Sequence, residues 1–234
     1  MTSERKNLLL NLLFPTLFAA LLWLIYLLQT AFNLPVQYLG IYPRTLRGLP
    51  GILTAPLIHG SIQHLLSNTV PLIVLGTIMF YFYRGIAFRI FCWVYLMTGL
   101  WVWAGARGGT AFHVGASGII YGFVSFLFFS GIFRKDPRLL KISLLILLFY
   151  NGLVWGVFPL VESVSWESHL LGSIAGIVCA WFFRKEGPQK EVYSWEREPD
   201  DDDDNEEDEM EQLEEEGSQE HKEPQVHYIF KPKE

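Results

Sequence analysis

Charged residues are scarce in this chain of 234 residues. Asp, Glu, Lys and Arg make up 18% of it, whereas they supply about a quarter of an ordinary soluble domain. Hydrophobic residues make up 51% and aromatic residues 15%. The formal net charge of −6 comes from one acidic block near the C-terminus, since the part before residue 186 is basic. The composition excludes an ordinary soluble domain, and the acidic balance indicates no particular partner.

Cysteine is scarcer still, and a signal-peptide cleavage site is lacking. Cys92 and Cys179 both lie in apolar runs, which excludes a disulfide framework and a paired-cysteine metal site. We expect them to pack as small hydrophobic side chains. The first apolar run, Leu8–Leu28, is too long for a signal peptide, and no small-residue cleavage site follows it. We interpret this run as a retained membrane helix.

Long apolar runs, by contrast, are abundant. A membrane-spanning helix needs about 20 predominantly apolar residues, and six segments approach that length. They are Leu8–Leu28, Leu65–Tyr83, the stretch between Arg89 and Arg107, the stretch between Arg107 and Arg134, Ile142–Leu160 and the stretch between Glu167 and Arg184. The predicted fold class is an all-α, polytopic membrane protein with a bundle of six transmembrane helices.

Lys and Arg are distributed unevenly between the two sides of this bundle. With the N-terminus in the cytoplasm, the outer side holds Arg44, Arg47 and Arg107. The inner side holds Arg5, Lys6, Arg84, Arg89, Arg134, Lys135, Arg138, Lys141, Arg184, Lys185 and Lys190. Such an excess follows the positive-inside rule. We therefore expect a multi-pass protein of the cell membrane with both termini in the cytoplasm.

Two segments lie outside the predicted spans. Residues 29–63, rich in proline, glycine and aromatic side chains, form a long outer connection that is either a functional loop or a plain connector. Residues 186–234 contain an acidic block, Asp200–Glu216, which cannot bury enough apolar surface to offset its ordering entropy. The predicted organisation is a membrane domain, residues 1–185, and a largely disordered cytoplasmic tail, residues 186–234.

Polar groups at membrane depth are costly and often functional, and the fourth span opens with one. Ser117 stands between Gly115 and Gly118, which leave its hydroxyl unshielded and let other backbone approach. Tyr121 lies four residues further on and shares the helix face of Ser117. Taken alone, Ser117 is either a nucleophile or a serine that packs between helices.

The sixth span opens with His169, and Gly172 and Gly176 follow on the same helix face. Because this span runs inward, His169 lies at a depth similar to that of Ser117. If the small-residue faces of the two spans meet, the imidazole can take the serine proton and return it to a leaving amine. Taken alone, His169 could equally be a packed or pore-lining histidine.

The second span begins beside a third polar cluster, His59, His64 and Asn68. His64 and Asn68 are four residues apart and share a helix face. Together with the backbone N–H of Ser117, they could donate hydrogen bonds to the oxyanion of acyl transfer. The alternative is a polar cluster that seats this helix under the long loop.

In this order, the motifs HxxxN, GASG with a tyrosine four residues after the serine, and HxxGxxxG resemble the rhomboid family of intramembrane serine proteases. The resemblance covers residues 8–184. It implies a dyad without aspartate, with Ser117 as nucleophile and His169 as general base. By the same resemblance, His64 and Asn68 lie on the oxyanion side, and Tyr121 packs against the catalytic histidine. His59 matches a further loop histidine that many members have.

The resemblance further implies that transmembrane protein substrates enter between the second and fifth spans and are cleaved near the outer face, in a water-filled cavity. Two features depart from the family pattern. Arg44 and Arg47 lack the adjacent tryptophan of a Trp-Arg motif, and Phe80–Tyr83 stand where an acidic residue is often found. These departures concern loop geometry and core packing rather than catalysis.

The sequence alone leaves other assignments of the base and other functions open. His113, four residues before Ser117, could compete as the base, although it precedes the predicted helix. A histidine metal site is disfavoured, because HExxH and carboxylate or thiolate partners are lacking; we expect no metal, no cofactor and no nucleic-acid partner. A transporter or channel would more often show inverted repeats, and no such repeat is evident in the sequence. A catalytically inactive rhomboid-like protein that binds or escorts membrane clients is the main alternative function, and the sequence sets no oligomeric state.

Overall fold

The computed structural model describes residues 3–108, 112–149, 155–160 and 165–189, which contain seven α-helices and no β-strand. The helices are α1 Ser3–Ala31, α2 Gly51–Thr54, α3 Ile62–Phe82, α4 Ala87–Gly105, α5 Ser117–Phe133, α6 Pro137–Phe149 and α7 Trp166–Phe182. Chain contacts divide Met1–Lys190 from Glu191–Glu234. All described residues belong to the first of these units, and the predicted tail lies outside the described residues from Lys190 onward.

Within the part of the chain that the structure describes, three helices are long and apolar enough to cross a membrane: α1 over Asn7–Ala31, α3 and α4. They correspond to the first three predicted spans. α5 is an apolar helix of 17 residues, and α7 also has 17 residues. The all-helical class is confirmed for the described residues, and the count of six spans stays a prediction.

The fifth predicted span, Ile142–Leu160, is wrong at both ends. α6 begins earlier, at Pro137, since proline suits the first position of a helix. Asp136, just before it, accepts a hydrogen bond from the backbone N–H of Arg138 at 2.9 Å, as a helix cap does. Residues 150–154 lie outside the described residues, and 156–160 form turns rather than helix.

α5 lies at the centre of the bundle. Its buried residues occur on every face rather than along one stripe, which is the pattern of a helix surrounded by other helices. It contacts α3, α4, α6 and α7. α1, α3 and α4, by contrast, expose many large apolar side chains, as suits helices that face lipid.

The contact between α5 and α7 is made through glycines. A Cβ added at Gly172 would lie 2.1 Å from the carbonyl oxygen of Gly118, and one added at Gly176 would lie 2.1 Å from that of Gly122. No side chain fits at either position, so the two backbones approach as closely as small residues allow in membrane helices. The small-residue faces predicted for the fourth and sixth spans therefore meet.

Backbone hydrogen bonds fix the long connection between α1 and α3 to the bundle. Ile41 and His113 exchange two N–H···O bonds of 2.9 Å each, and the N–H of Gly115 donates to the carbonyl of Ala55 at 2.8 Å. Gly115, which makes the last of these bonds, lies two residues before the start of α5. The connection is therefore part of the framework that holds Ser117.

A tryptophan from α4 contacts this connection beside Arg44. The N–H of Arg44 donates to the carbonyl of Trp103 at 2.8 Å, and the indole of Trp103 donates to the carbonyl of Thr45 at 2.9 Å. Trp103 thus reaches the neighbourhood of Arg44 through space, although no tryptophan stands next to this arginine in the sequence.

Arg134, directly after α5, holds the other end of α7. Its side chain is 6% exposed and donates to the carbonyls of Phe183, Arg184 and Pro188 at 2.6, 2.9 and 3.0 Å. Carbonyls at a helix C-terminus lack intrahelical donors, and a cation there suits the helix dipole. The ring of Tyr83, in the region where the sequence lacks an acidic residue, packs 5.4 Å from the guanidinium.

Candidate active site

Ser117 is the first residue of α5. Gly115, two residues before it, has a φ of +108°, a conformation that favours glycine. A Cβ at Gly115 would lie 2.6 Å from the imidazole of His64, so a side chain is excluded there for a second reason. The first N–H groups of a helix have no intrahelical acceptor, and the N–H of Ser117 is therefore available as a donor at the positive end of the helix dipole.

His169, in α7, contacts Ser117. The distance between His169 Nε2 and Ser117 Oγ is 2.8 Å, and Nδ1 lies 2.9 Å from the carbonyl oxygen of Gly156. Because a carbonyl only accepts, Nδ1 carries the proton and donates it to Gly156. Nε2 is then unprotonated and can accept the proton of the Ser117 hydroxyl.

The imidazole of His169 is also fixed by stacking. Its ring lies parallel to that of Tyr121, with centroids 4.1 Å apart and an interplanar angle of 9°. The residue is 8% exposed. In serine-protease triads an aspartate holds the histidine in the required tautomer and orientation. In this chain the carbonyl of Gly156 and the ring of Tyr121 restrain the imidazole of His169.

Ser117 and His169 line an open cavity of about 720 Å³, and His64 and Asn68 of α3 line it as well. This volume lies within the range of ligand-binding clefts. One amide hydrogen of Asn68 goes to the carbonyl of His64, with Nδ2 and O 2.8 Å apart. The amide carries two hydrogens, so the second remains for a group in the cavity.

His59 lies behind His64 rather than in the cavity. Its side chain is fully buried, and its ring meets that of His64 edge to face, with centroids 5.1 Å apart. Burial, with His64 as a second cause, lowers the pKa of His59 to about 4. The ring is therefore neutral at pH 7 and contributes packing rather than charge behind His64.

His113 was the alternative candidate for the base in the sequence analysis. Its imidazole bonds to a hydroxyl other than that of Ser117. Its Nδ1 lies 2.5 Å from Ser165 Oγ, which in turn lies 2.6 Å from Ser168 Oγ. Burial lowers the pKa of His113, and Glu167 partly opposes this shift. Of the two histidines, His169 is the one in hydrogen-bond contact with Ser117. Among the described residues, no group of three or more His, Cys, Asp or Glu side chains could hold a metal ion.

Gly156 is the main site residue that sequence reasoning missed. A Cβ at this position would lie 1.8 Å from the hydroxyl oxygen of Tyr121 and 3.1 Å from Nδ1 of His169. Only glycine lets the chain pass so close over the stacked rings and offer its carbonyl to His169. Gly156 lies inside the fifth predicted span, where a single glycine in an apolar run is an ordinary feature of membrane helices and indicated no contact with His169.

Comparison with known proteins identifies the family. The family model of the rhomboid domain matches residues 47–186, which make up more than half of the chain and include both members of the Ser117–His169 pair. The chain belongs to the rhomboid family. The resemblance read from the three motifs is thereby confirmed, and a rhomboid membrane domain agrees with the apolar helices.

Similar sequences occur in mycobacteria. An uncharacterized protein of Mycobacterium bovis is 33% identical over 191 residues, covering 77% of this chain and 77% of its own. An uncharacterized protein of Mycobacterium tuberculosis matches with the same values. An uncharacterized protein of Mycobacterium leprae is 33% identical over 171 residues, covering 70% of this chain and 68% of its own. None of these names assigns an activity.

Proposed function

We propose that this rhomboid is an intramembrane serine endopeptidase that cleaves transmembrane protein substrates near the outer face of the cell membrane. The single observation that carries the proposal is the 2.8 Å contact between Ser117 Oγ and His169 Nε2 in an open cavity. A serine used only for packing between helices needs neither a bonded imidazole nor an open approach. A nucleophile needs both.

In the proposed first half-reaction, Ser117 forms an ester with the substrate. Its Oγ attacks the scissile carbonyl carbon while Nε2 of His169 accepts the hydroxyl proton. The imidazolium keeps its Nδ1 bond to the carbonyl of Gly156, which is stronger for a charged donor. When the tetrahedral intermediate collapses, His169 gives its proton to the leaving amine, and the acyl group stays on Ser117.

In the proposed second half-reaction, water releases the product. His169 takes a proton from water while the oxygen attacks the ester carbonyl, and the same proton then returns to Ser117 Oγ. In both steps the oxyanion faces the N–H of Ser117 and the side chains of His64 and Asn68. Such donors stabilise the transition state most effectively when they are already held in place, as Asn68 is by its bond to the His64 carbonyl.

The direct test uses the purified full chain in detergent, a fluorophosphonate probe and a reconstituted single-span substrate. We expect the native chain to be phosphonylated on Ser117, as located by peptide mass spectrometry, and to cut the substrate near its outer end. Ser117→Ala is expected to lose both reactions while unfolding at an unchanged temperature. Cleavage by Ser117→Ala at the native rate would overturn the assignment of the nucleophile.

The same test separates the protease from a rhomboid-like protein that only binds or escorts membrane clients. An escort protein would bind the single-span substrate without releasing product, and Ser117→Ala would bind it equally well. The bonded Ser117–His169 pair favours the protease, because binding alone requires no base beside a serine.

Removing an oxyanion donor is expected to slow the chemical step selectively. Asn68→Ala and His64→Ala should each lower kcat by about 10²–10³, the usual loss for one such donor, with little change in KM. Steady-state cleavage measurements check this. Thr77→Val is the matched control, since its hydroxyl bonds only within α3, to the carbonyl of Ile73 at 2.6 Å. Equal losses in Thr77→Val and Asn68→Ala would contradict the role of Asn68.

A further inference from the structure

A second contact between a histidine and a serine lies next to the proposed dyad and takes no part in the mechanism above. His113 Nδ1 bonds to Ser165 Oγ at 2.5 Å, and Ser165 Oγ bonds to Ser168 Oγ at 2.6 Å. His113 stands four residues before Ser117, and Ser165 stands four residues before His169. The second pair therefore joins the same two chain segments as the dyad, with histidine and serine exchanged.

Ser165 uses its hydroxyl in an unusual way for its position. It is the N-cap residue of α7, and its side chain makes no cap hydrogen bond. An N-cap serine normally accepts from a backbone N–H in the first turn. The hydroxyl of Ser165 instead lies between His113 and Ser168. The start of α7 is therefore hydrogen-bonded to the segment that precedes α5, in addition to the bonds within its own first turn.

His113 is well placed to hold the start of α7, because its own backbone is fixed elsewhere. Its N–H and carbonyl both bond to Ile41 at 2.9 Å. Gly115 bonds to Ala55 at 2.8 Å. These bonds attach the segment to the long connection and do not involve α7. The hydrogen bond between His113 and Ser165 thus attaches the first turn of the helix that carries His169 to a fixed segment.

We propose that His113, Ser165 and Ser168 form an outer latch that positions His169 against Ser117. The latch rests on the proposed protease function, since its effect is measured on that reaction. His113 is a positioning residue and touches no reacting atom. Ser168 immediately precedes His169, so a displacement of the first turn of α7 moves the imidazole. A misplacement of about 1 Å in a catalytic group can lower a rate by about 10².

Three variants of His113 test whether the bond at Nδ1 matters. Asparagine places an amide atom close to the position of Nδ1, whereas glutamine places its amide further out, near Nε2. We expect His113→Ala and His113→Gln to lower the rate of Ser117 phosphonylation roughly tenfold, with KM for the substrate unchanged. His113→Asn should recover most of the native rate. Equal rates in His113→Asn and His113→Gln would overturn the latch, because simple packing does not distinguish the two amides in this way.

A double-mutant cycle tests the connection between His113 and Ser165. Ser165→Ala is expected to match the loss in His113→Ala, and the double variant should lose no more than either single one, since both remove the same bond. Thr30→Val serves as a control, because its hydroxyl bonds only to the carbonyl of Tyr26 in α1. Fully additive losses would contradict the latch.

Hydrogen exchange keeps the latch testable without catalysis. In His113→Ala, the backbone amides of residues 166–170 should exchange faster than in the native chain, and His113→Asn should restore their protection. If the native chain is never phosphonylated, the proposed protease function fails and amide exchange alone decides the latch. If the native chain is phosphonylated and His113→Ala changes neither the rate nor the exchange, the latch alone fails.

Discussion

His169→Ala is expected to lower turnover of a transmembrane substrate by about 10³ or more. General acid–base catalysis supplies roughly 10²–10⁴ in rate, and Ser117 without a base remains an un-ionised hydroxyl. The variant removes the only described group within hydrogen-bond reach of Ser117 Oγ, 2.8 Å away. Cleavage of a reconstituted single-span substrate and the rate of phosphonylation both measure the loss.

A matched variant separates the loss of the base from the loss of packing. His169→Asn can still donate to the carbonyl of Gly156, which Nδ1 contacts at 2.9 Å, but carries no atom in the place of Nε2. We expect it to be as inactive as His169→Ala and closer to the native chain in thermal stability. Added imidazole should partly restore His169→Ala, since the side chain adjoins an open cavity. Normal turnover in His169→Ala would refute the assignment of the base.

Gly172→Ala is expected to disable the proposed active site without changing either member of the proposed dyad. The added Cβ would lie 2.1 Å from the carbonyl oxygen of Gly118, and backbone cannot move aside as a flexible side chain does. α5 and α7 must separate by about 1 Å to reach ordinary contact. Overpacking of this kind destabilises by about 1–3 kcal/mol, and a shift of about 1 Å between Ser117 and His169 lowers the rate by about 10².

Thermal unfolding in detergent and the rate of phosphonylation check the two parts of this result. Gly105→Ala is the control, because Gly105 also lies in a helix and a Cβ there meets nothing within 4 Å. We expect Gly105→Ala to match the native chain or exceed its stability slightly, since alanine is the better helix former. Native stability and native labelling in Gly172→Ala would mean that the helices do not need this close approach.

The helices of the bundle could be predicted from the sequence mainly where a long apolar run ends at a charged residue. α3 and α4 were predicted in this way, within a few residues of their observed ends. The start of α6 was missed because the prediction followed the apolar run, which begins at Ile142, after Arg138 and Lys141. They lie within the helix, where long basic side chains can extend towards the membrane surface. Pro137, which suits the first turn, was the available signal.

The pairing of Ser117 with His169 could be predicted because each residue sits at the same predicted depth beside a row of glycines. The restraint on His169 by Gly156 could not be predicted, because every residue has a backbone carbonyl and no residue type marks the one that is used. The bond between His113 and Ser165 escaped for another reason. His113 is placed by its bridge to Ile41, and a two-residue pairing over such a sequence distance leaves no periodic pattern.

The buried guanidinium of Arg134 has a consequence for how this protein responds to its lipid surroundings. α5 and α7 are joined at one end by the bond between Ser117 and His169 and at the other by three carbonyl bonds of Arg134. Sliding of one helix along the other would break hydrogen bonds at both ends. Tilting of the lipid-facing helices and local adjustment of the bilayer are ways of accommodating a thicker or thinner membrane that leave these bonds intact. We therefore expect the contact between Ser117 and His169 to depend little on the length of the lipid acyl chains.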